Sequence, residues 1–143
     1  MGLDIFFSKV NKRDYSLNKE TAINNEIVIG YFCKVNCLLP FFGYENNQEY
    51  LEIKRSQIEC LLKTVKDLLQ IYNTLETSKI DSLWKQFAEI AQEELPTLKG
   101  FFFGSYEYDE WYVSDLQEIE KDFEKILEET DFDTEQVLMF CWW

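Results

Sequence analysis

The densest chemistry in the 143-residue chain lies at residues 100–112, Gly-Phe-Phe-Phe-Gly-Ser-Tyr-Glu-Tyr-Asp-Glu-Trp-Tyr. An ordinary core strand has no need of three consecutive Phe followed by hydroxyl, carboxylate and indole groups. If residues 105–110 run extended, Ser105, Glu107 and Asp109 face one way and Tyr106, Tyr108 and Glu110 the other. A hydroxyl and two carboxylates on one edge can ligate a divalent metal, hydrogen-bond a sugar or base, or pair with a cation such as Lys34. Gly104 lets the backbone bend or a ligand approach closely. The structural alternative is an acidic loop ahead of a helix, with Asp109 and Glu110 stabilised by the dipole of its N-terminus. In a ligand site, Lys34 would meet an anion, Asn36 and Asp109 would read polar edges, and Tyr108 and Trp111 would stack on a ring. The candidate binding set is therefore Lys34, Asn36, Ser105, Glu107, Tyr108, Asp109 and Trp111, with no catalytic residue assigned and neither metal nor cofactor expected.

Composition narrows the chemistry. The chain has no His, which removes the usual general base, the Ser–His and Cys–His nucleophile pairs and most catalytic zinc sites. It carries 27 acidic and 14 basic side chains, for a formal charge of −13. That balance argues against direct binding to nucleic acid, which needs clustered Lys and Arg. The charge is uneven: residues 1–104 hold 14 acids and 12 bases, whereas residues 105–143 hold 13 acids against Lys121 and Lys125 alone. Glu118, Asp122 and Glu129 lie off the apolar stripe of the last helix, forming either a solvated face, the favoured reading, or a phosphate-like row that could occupy a basic cleft on a DNA-binding enzyme. With 46% hydrophobic and 17% aromatic residues, the chain can fold without a disulfide or metal. The spacing of Cys33 and Cys37 puts them on one face of a helix, and all four cysteines read as buried thiols rather than zinc ligands. No signal-peptide pattern and no transmembrane run is visible, so a cytoplasmic protein without membrane contact is expected.

These groups need a scaffold, and its main parts can be read along the chain. Residues 3–10 have the β-branched and aromatic character of a first strand. Residues 11–25 read as a polar loop with a short helical turn. The apolar stretch Ile27–Phe42 suits strand or helix by propensity; a helix of about ten residues is favoured, with Tyr31, Lys34 and Leu38 on one face and Pro40 near its end. Residues 50–53 alternate as a short strand. The next helix opens on a Ser56–Glu59 capping box and carries a stripe of Ile58, Leu61, Leu62, Val65, Leu68, Leu69 and Tyr72. Another helix spans about residues 80–95, closed by Pro96, with Leu83, Trp84, Phe87, Ile90 and Ala91 buried. Gly100–Gly104 reads as a brief aromatic strand. A last helix starts near Ser114, where Ser114-Asp115-Leu116-Gln117 forms a second capping box, and buries Leu116, Ile119, Phe123, Ile126 and Leu127. Residues 137–143 read as a closing strand. The expectation is one α+β domain over residues 1–143, with three to four helices packed on a small sheet.

Met1-Gly2-Leu3-Asp4, Tyr31-x2-Lys34-x-Asn36 and the 100–112 motif, taken together and in order, resemble a family of small uncharacterised proteins of bacteriophages, prophages and gut bacteria. The resemblance spans most of the chain but implies no established activity. Similar proteins often carry His where this chain has Leu39, and a small polar residue where it has Tyr106. A binding or structural role for Lys34, Asn36, Ser105, Glu107 and Asp109 survives those differences better than catalysis does. The leading expectation is thus a non-catalytic protein that engages a host macromolecule through its acidic C-terminal helix. A small-ligand pocket for a nucleotide or sugar comes second, and a carboxylate- or metal-dependent hydrolase last.

Overall fold

A computed structural model describes residues 2–143. It is an α+β fold with three short helices, three longer ones and a four-stranded antiparallel sheet. The chain opens with β1 (Asp4–Asn11), α1 (Lys12–Leu17), α2 (Lys19–Asn24) and β2 (Ile27–Cys33). It continues through α3 (Leu38–Phe42), β3 (Tyr50–Ile53), α4 (Arg55–Thr77) and α5 (Leu83–Glu94), and ends with α6 (Glu110–Glu129) and β4 (Glu135–Trp142). Strand order is β2-β1-β4-β3, so the first and last strands of the chain lie side by side at the centre. They pair over eight residues, from Asp4 opposite Trp142 to Asn11 opposite Glu135.

The sheet has two unlike faces. Ile5, Phe7, Phe32, Met139 and Cys141 join the main core with the apolar stripes of α4 and α6. Phe123 of α6 is the hub of this core: it stacks on Phe32 at 5.4 Å and meets Phe7 edge-on at 4.9 Å. Such aromatic pairs contribute about 0.5–1.5 kcal/mol each beyond the area they bury. On the opposite face Val10 and Leu138 pack against Tyr15 of α1 and Ala22 of α2 in a smaller cluster. The two short helices start on Asn11 and Asn18, whose side chains accept the Asp14 and Thr21 amides.

Several local expectations need correction. Ile27–Phe42 is not one helix: its first seven residues form edge strand β2, and only Leu38–Phe42 is helical. The β2 register shifts opposite Phe7 and Ser8, with Gly30 and Val28 as partners, so Ile29 is an extra residue and the alternation is broken. Cys33 and Cys37 consequently do not share a helix face. Cys33 and Cys60 are exposed, whereas Cys37 and Cys141 are buried, and all four are free thiols. Gly100–Gly104 forms a turn, not a strand. A side chain at Gly100 would lie 2.5 Å from the Phe103 ring, so only glycine allows that close turn. The box heading α4 is set by Gln57, whose side chain accepts the Lys54 amide at 2.8 Å. The last helix begins at Glu110, with Asp109 as its cap and Ser114 inside it. The closing apolar segment is β4, with Trp142 facing outward. No helix among the described residues is long and apolar enough to cross a membrane.

Candidate functional site

The link from α5 to α6 crosses the end of the sheet and meets the turn that follows β2. A hollow of about 200 Å³ opens where they meet, lined by residues of the turn, the loop and the first turns of α6. Six of the seven candidate binding residues border it: Lys34, Asn36, Ser105, Glu107, Asp109 and Trp111. Tyr108 does not. Its hydroxyl accepts the Thr97 amide at 3.0 Å. The hollow also takes in Cys33, Cys37, Thr97, Tyr112 and Asp115, which sequence reasoning did not select.

Most of the polar groups here hold the loop in shape. Asn36 is 3% exposed, and its amide accepts the Leu98 N–H at 3.0 Å through Oδ1. Its Nδ2 donates to the carbonyls of Phe103 and Ser105, each at 2.9 Å. One side chain thus fastens both ends of the segment 98–105 to the β2–α3 turn. The Ser105 hydroxyl accepts the Glu107 amide at 3.1 Å, forming a local turn. Asp109 Oδ1 accepts the amides of Trp111 and Tyr112, the first donors of α6. Tyr112 donates its hydroxyl to the Leu95 carbonyl at 2.8 Å, and Thr97 donates to the Tyr106 carbonyl at 2.7 Å. Leu3 completes the attachment, its amide donating to Phe102 O at 3.0 Å.

Lys34 adopts φ 59°, a left-handed conformation that a residue with a Cβ takes at a cost of about 1 kcal/mol or more. Its stem runs beside Gly104, itself at φ +81°, where an added Cβ would come within 3.0 Å of Lys34 Cβ. Gly104 is therefore required both by its backbone angle and by the closeness of the lysine.

Asp115 sits one turn beyond Trp111 on α6. Burial pushes its carboxyl up to about 7, and the charges of Glu118 and Asp109 add to the effect. The Cys37 thiol is raised by burial first and by Asp115 second. The Tyr112 hydroxyl is raised by burial, then by Cys37 and Tyr108. Burial is the leading cause of all three shifts, and neighbouring charged or ionisable groups add to it. Among the described residues no three His, Cys, Asp or Glu side chains are arranged to hold a metal ion.

Three of the candidate residues, Glu107, Tyr108 and Asp109, border a second hollow, of about 420 Å³, together with Trp84, Lys85, Ala88 and Glu110. A larger open groove, about 650 Å³, runs between α4 and α6 past Lys66, Gln70, Asn73 and Gln117, and contains none of the candidate residues. Near it Lys66 pairs with Glu124 at 2.6 Å, so the acidic face of α6 is partly neutralised by α4. Both partners are half exposed, and such a pair contributes about 1 kcal/mol at most.

Comparison with family models, curated proteins and solved structures found no match to this chain. The functional reading therefore rests on the geometry above.

Two predictions follow from these bonds. Asn36→Ala leaves the Leu98 amide without its acceptor and two carbonyls without their donors. It should destabilise the fold by about 2–4 kcal/mol in urea denaturation and open residues 98–106 to limited proteolysis. A loss below about 1 kcal/mol, or unchanged proteolysis, contradicts the clamp. For Asp115, the folded chain holds an additional proton between pH 3.8, the ordinary carboxyl value, and about 7. Its contribution to stability is therefore present in full below that window and is lost as pH rises through it. Asp115→Asn should exceed the original chain in stability by on the order of 2 kcal/mol at pH 8, allowing for partial exposure, with the gap closing toward pH 4. Urea midpoints across that range check this, and a gap independent of pH contradicts it.

Proposed function

We propose that this chain is a non-catalytic, cytoplasmic binding protein that engages a host macromolecule through the loop end of the fold. The observation that carries this reading is the division of labour within residues 100–112. The polar side chains Ser105, Tyr108 and Asp109, together with Asn36, are taken up in holding the loop. Phe101 and Trp111 are left 94% and 70% exposed. Exposed, rigidly presented aromatics are the groups that dominate protein interfaces, where they fill pockets on the partner. Glu107, Asp109 and Glu110 lie among them, and the acids of α6 continue away from this end, so the partner surface is basic. Long-range attraction of that kind speeds association and weakens with salt.

Two observations weigh against the other readings. Asp109 is already committed as the cap of α6, its Oδ1 accepting the Trp111 and Tyr112 amides, so its orientation is set by the helix. It is thus poorly suited to act with Glu107 as an acid–base pair. The hollow of about 200 Å³ lies below the roughly 300–1,000 Å³ common for organic ligands. A nucleotide is too large for it; the neighbouring hollow of about 420 Å³, bordered by Glu107, Tyr108 and Asp109, falls within that range, so a small organic ligand there is the remaining small-molecule alternative.

The test is affinity capture from host extract by the intact chain, by the Phe101→Ser/Trp111→Ser double variant and by Leu17→Ser, an exposed apolar position in α1. A partner bound at low salt should be retained by Leu17→Ser and reduced about tenfold or more by the double variant, in keeping with the loss of two central aromatics. Equal capture by the double variant would overturn the assignment of this surface.

A further inference from the structure

The sheet carries a second feature, on the face opposite its main core and independent of the reading above. Only part of its outer face is covered: α1 and α2 pack over Val10 and Leu138, with Tyr50 at the margin of that cluster, while Tyr31 and Trp142 stay exposed. On that face the cross-strand register lines up four aromatic rings in one row, one from each strand. Tyr31 of β2 lies opposite Phe6 of β1, Phe6 opposite Phe140 of β4, and Phe140 opposite Tyr50 of β3. The Phe6 and Tyr31 rings are 5.1 Å apart, and those of Tyr50 and Phe140 are 4.8 Å apart. Phe6 stands between Ile5 and Phe7, both fully buried on the helix side, so the row points away from the core. Tyr31 is 47% exposed, and Trp142, two residues beyond Phe140 on the same face, is 58% exposed.

Carboxylates flank the row on both sides. Asp4, opposite Trp142, accepts the Tyr31 hydroxyl. On the other side Glu26 accepts both the Ser8 hydroxyl at 2.8 Å and the Tyr50 hydroxyl at 3.1 Å, which fixes its carboxylate beside the rings. Burial and Glu26 push the Tyr50 hydroxyl up to about 12, and the Asp4 bond also raises that of Tyr31, so both rings stay neutral at physiological pH. Strands β2, β3 and β4 contain no Lys or Arg. Lys9, the one basic residue of β1, is turned to the other face, where it bonds the Glu129 carbonyl and Glu135.

We propose that this face is a docking surface for an arginine-bearing segment of a basic protein. Guanidinium groups would lie flat on the aromatic row and take hydrogen bonds to Asp4 and Glu26. Charge complementarity selects this occupant. A second copy of a chain with net charge −13 would bring Asp4 and Glu26 against their own equivalents, with Lys12, Arg13 and Lys19 of α1 and α2 as the cations of this face to offset an overall repulsion. A basic partner neutralises the two carboxylates. Arginine is selected over lysine because its planar cation both stacks on rings and forks to carboxylates.

The experiment compares fluorescent oligoarginine and oligolysine of equal length, binding the full chain at about 150 mM salt, where purely long-range attraction is largely screened. Oligoarginine should bind about tenfold more tightly. In Tyr31→Thr/Phe140→Thr, which keeps the net charge and suits a strand, the preference should fall to about one. Should that variant fail to fold, Trp142→Ser at the exposed margin should reduce the preference about threefold. Phe101→Ser/Trp111→Ser should leave it unchanged, which separates this surface from the loop end. Equal binding of the two peptides, or a preference that survives the aromatic variants, overturns the proposal. A concentration-dependent dimer abolished by Tyr31→Thr/Phe140→Thr also overturns it, by assigning the face to a second copy.

Discussion

One buried amide, Asn36, joins three parts of the chain that local structure would not bring together. It sits in the turn after β2, and its partners lie 62 to 69 residues further along, at Leu98, Phe103 and Ser105. The loop between α5 and α6 has no ladder of its own, so its backbone groups must find other partners. Asn36 supplies three of them from a position closed to water, where an unmet polar group is costly. The rest of the candidate site is arranged around that attachment. Lys34 is held in a left-handed turn beside Gly104, Asp109 is delivered to the head of α6, and Phe101 and Trp111 are turned outward.

The sheet gives this attachment a rigid base. Its two central strands come from opposite ends of the chain, so β1 and β4 are each held on both sides. Phe123 then ties α6 to Phe7 and Phe32 across the same layer. Because α6 begins at Asp109, the helix that fills the core also fixes the end of the loop. The C-terminus is fastened as well: Asn47 exchanges two hydrogen bonds with the Trp143 backbone, and the Trp143 ring meets Phe103 at 5.2 Å. Packing and the loop are thus parts of one connected arrangement. The side chains left over from it are the aromatic and acidic groups at the surface.

The sequence expresses these features unevenly, for physical reasons. The stripe Ile58, Leu61, Leu62, Val65 and Leu68 is legible because helical period is a local property, and all five residues are buried. Strands β1, β3 and β4 are legible from their composition. Strand β2 is not, because it is an edge with a bulge at Ile29, where neither burial nor alternation is regular. The Phe run at 101–103 suggests a strand, but Gly100 allows a turn too tight for any other residue. Helix starts were displaced because Ser56 and Ser114 match a capping pattern that Lys54, with Gln57, and Asp109 actually fulfil. At the site, the alternation of Ser105, Glu107 and Asp109 anticipates their common side, although the segment is no strand. Asp115, Cys33 and Cys37 were passed over because what makes them part of the hollow is tertiary. Placing the head of α6 at Glu110 would have shown Asp115 one helical turn from Trp111.

The account stands on the claim that the aromatic–acidic segment is a built loop rather than an open catalytic edge. Native-state amide hydrogen exchange measures this directly, residue by residue and without mutation. The amides of Thr97, Leu98, Trp111 and Tyr112 donate to Tyr108, Asn36 and Asp109 side chains, not to a ladder. They should exchange on the order of 10²-fold or more slowly than the same amides in an unstructured chain, corresponding to opening free energies of about 3 kcal/mol. Exchange of all four at unstructured rates, with α4 and β1 still protected, would show a loop without its clamp and would contradict the account.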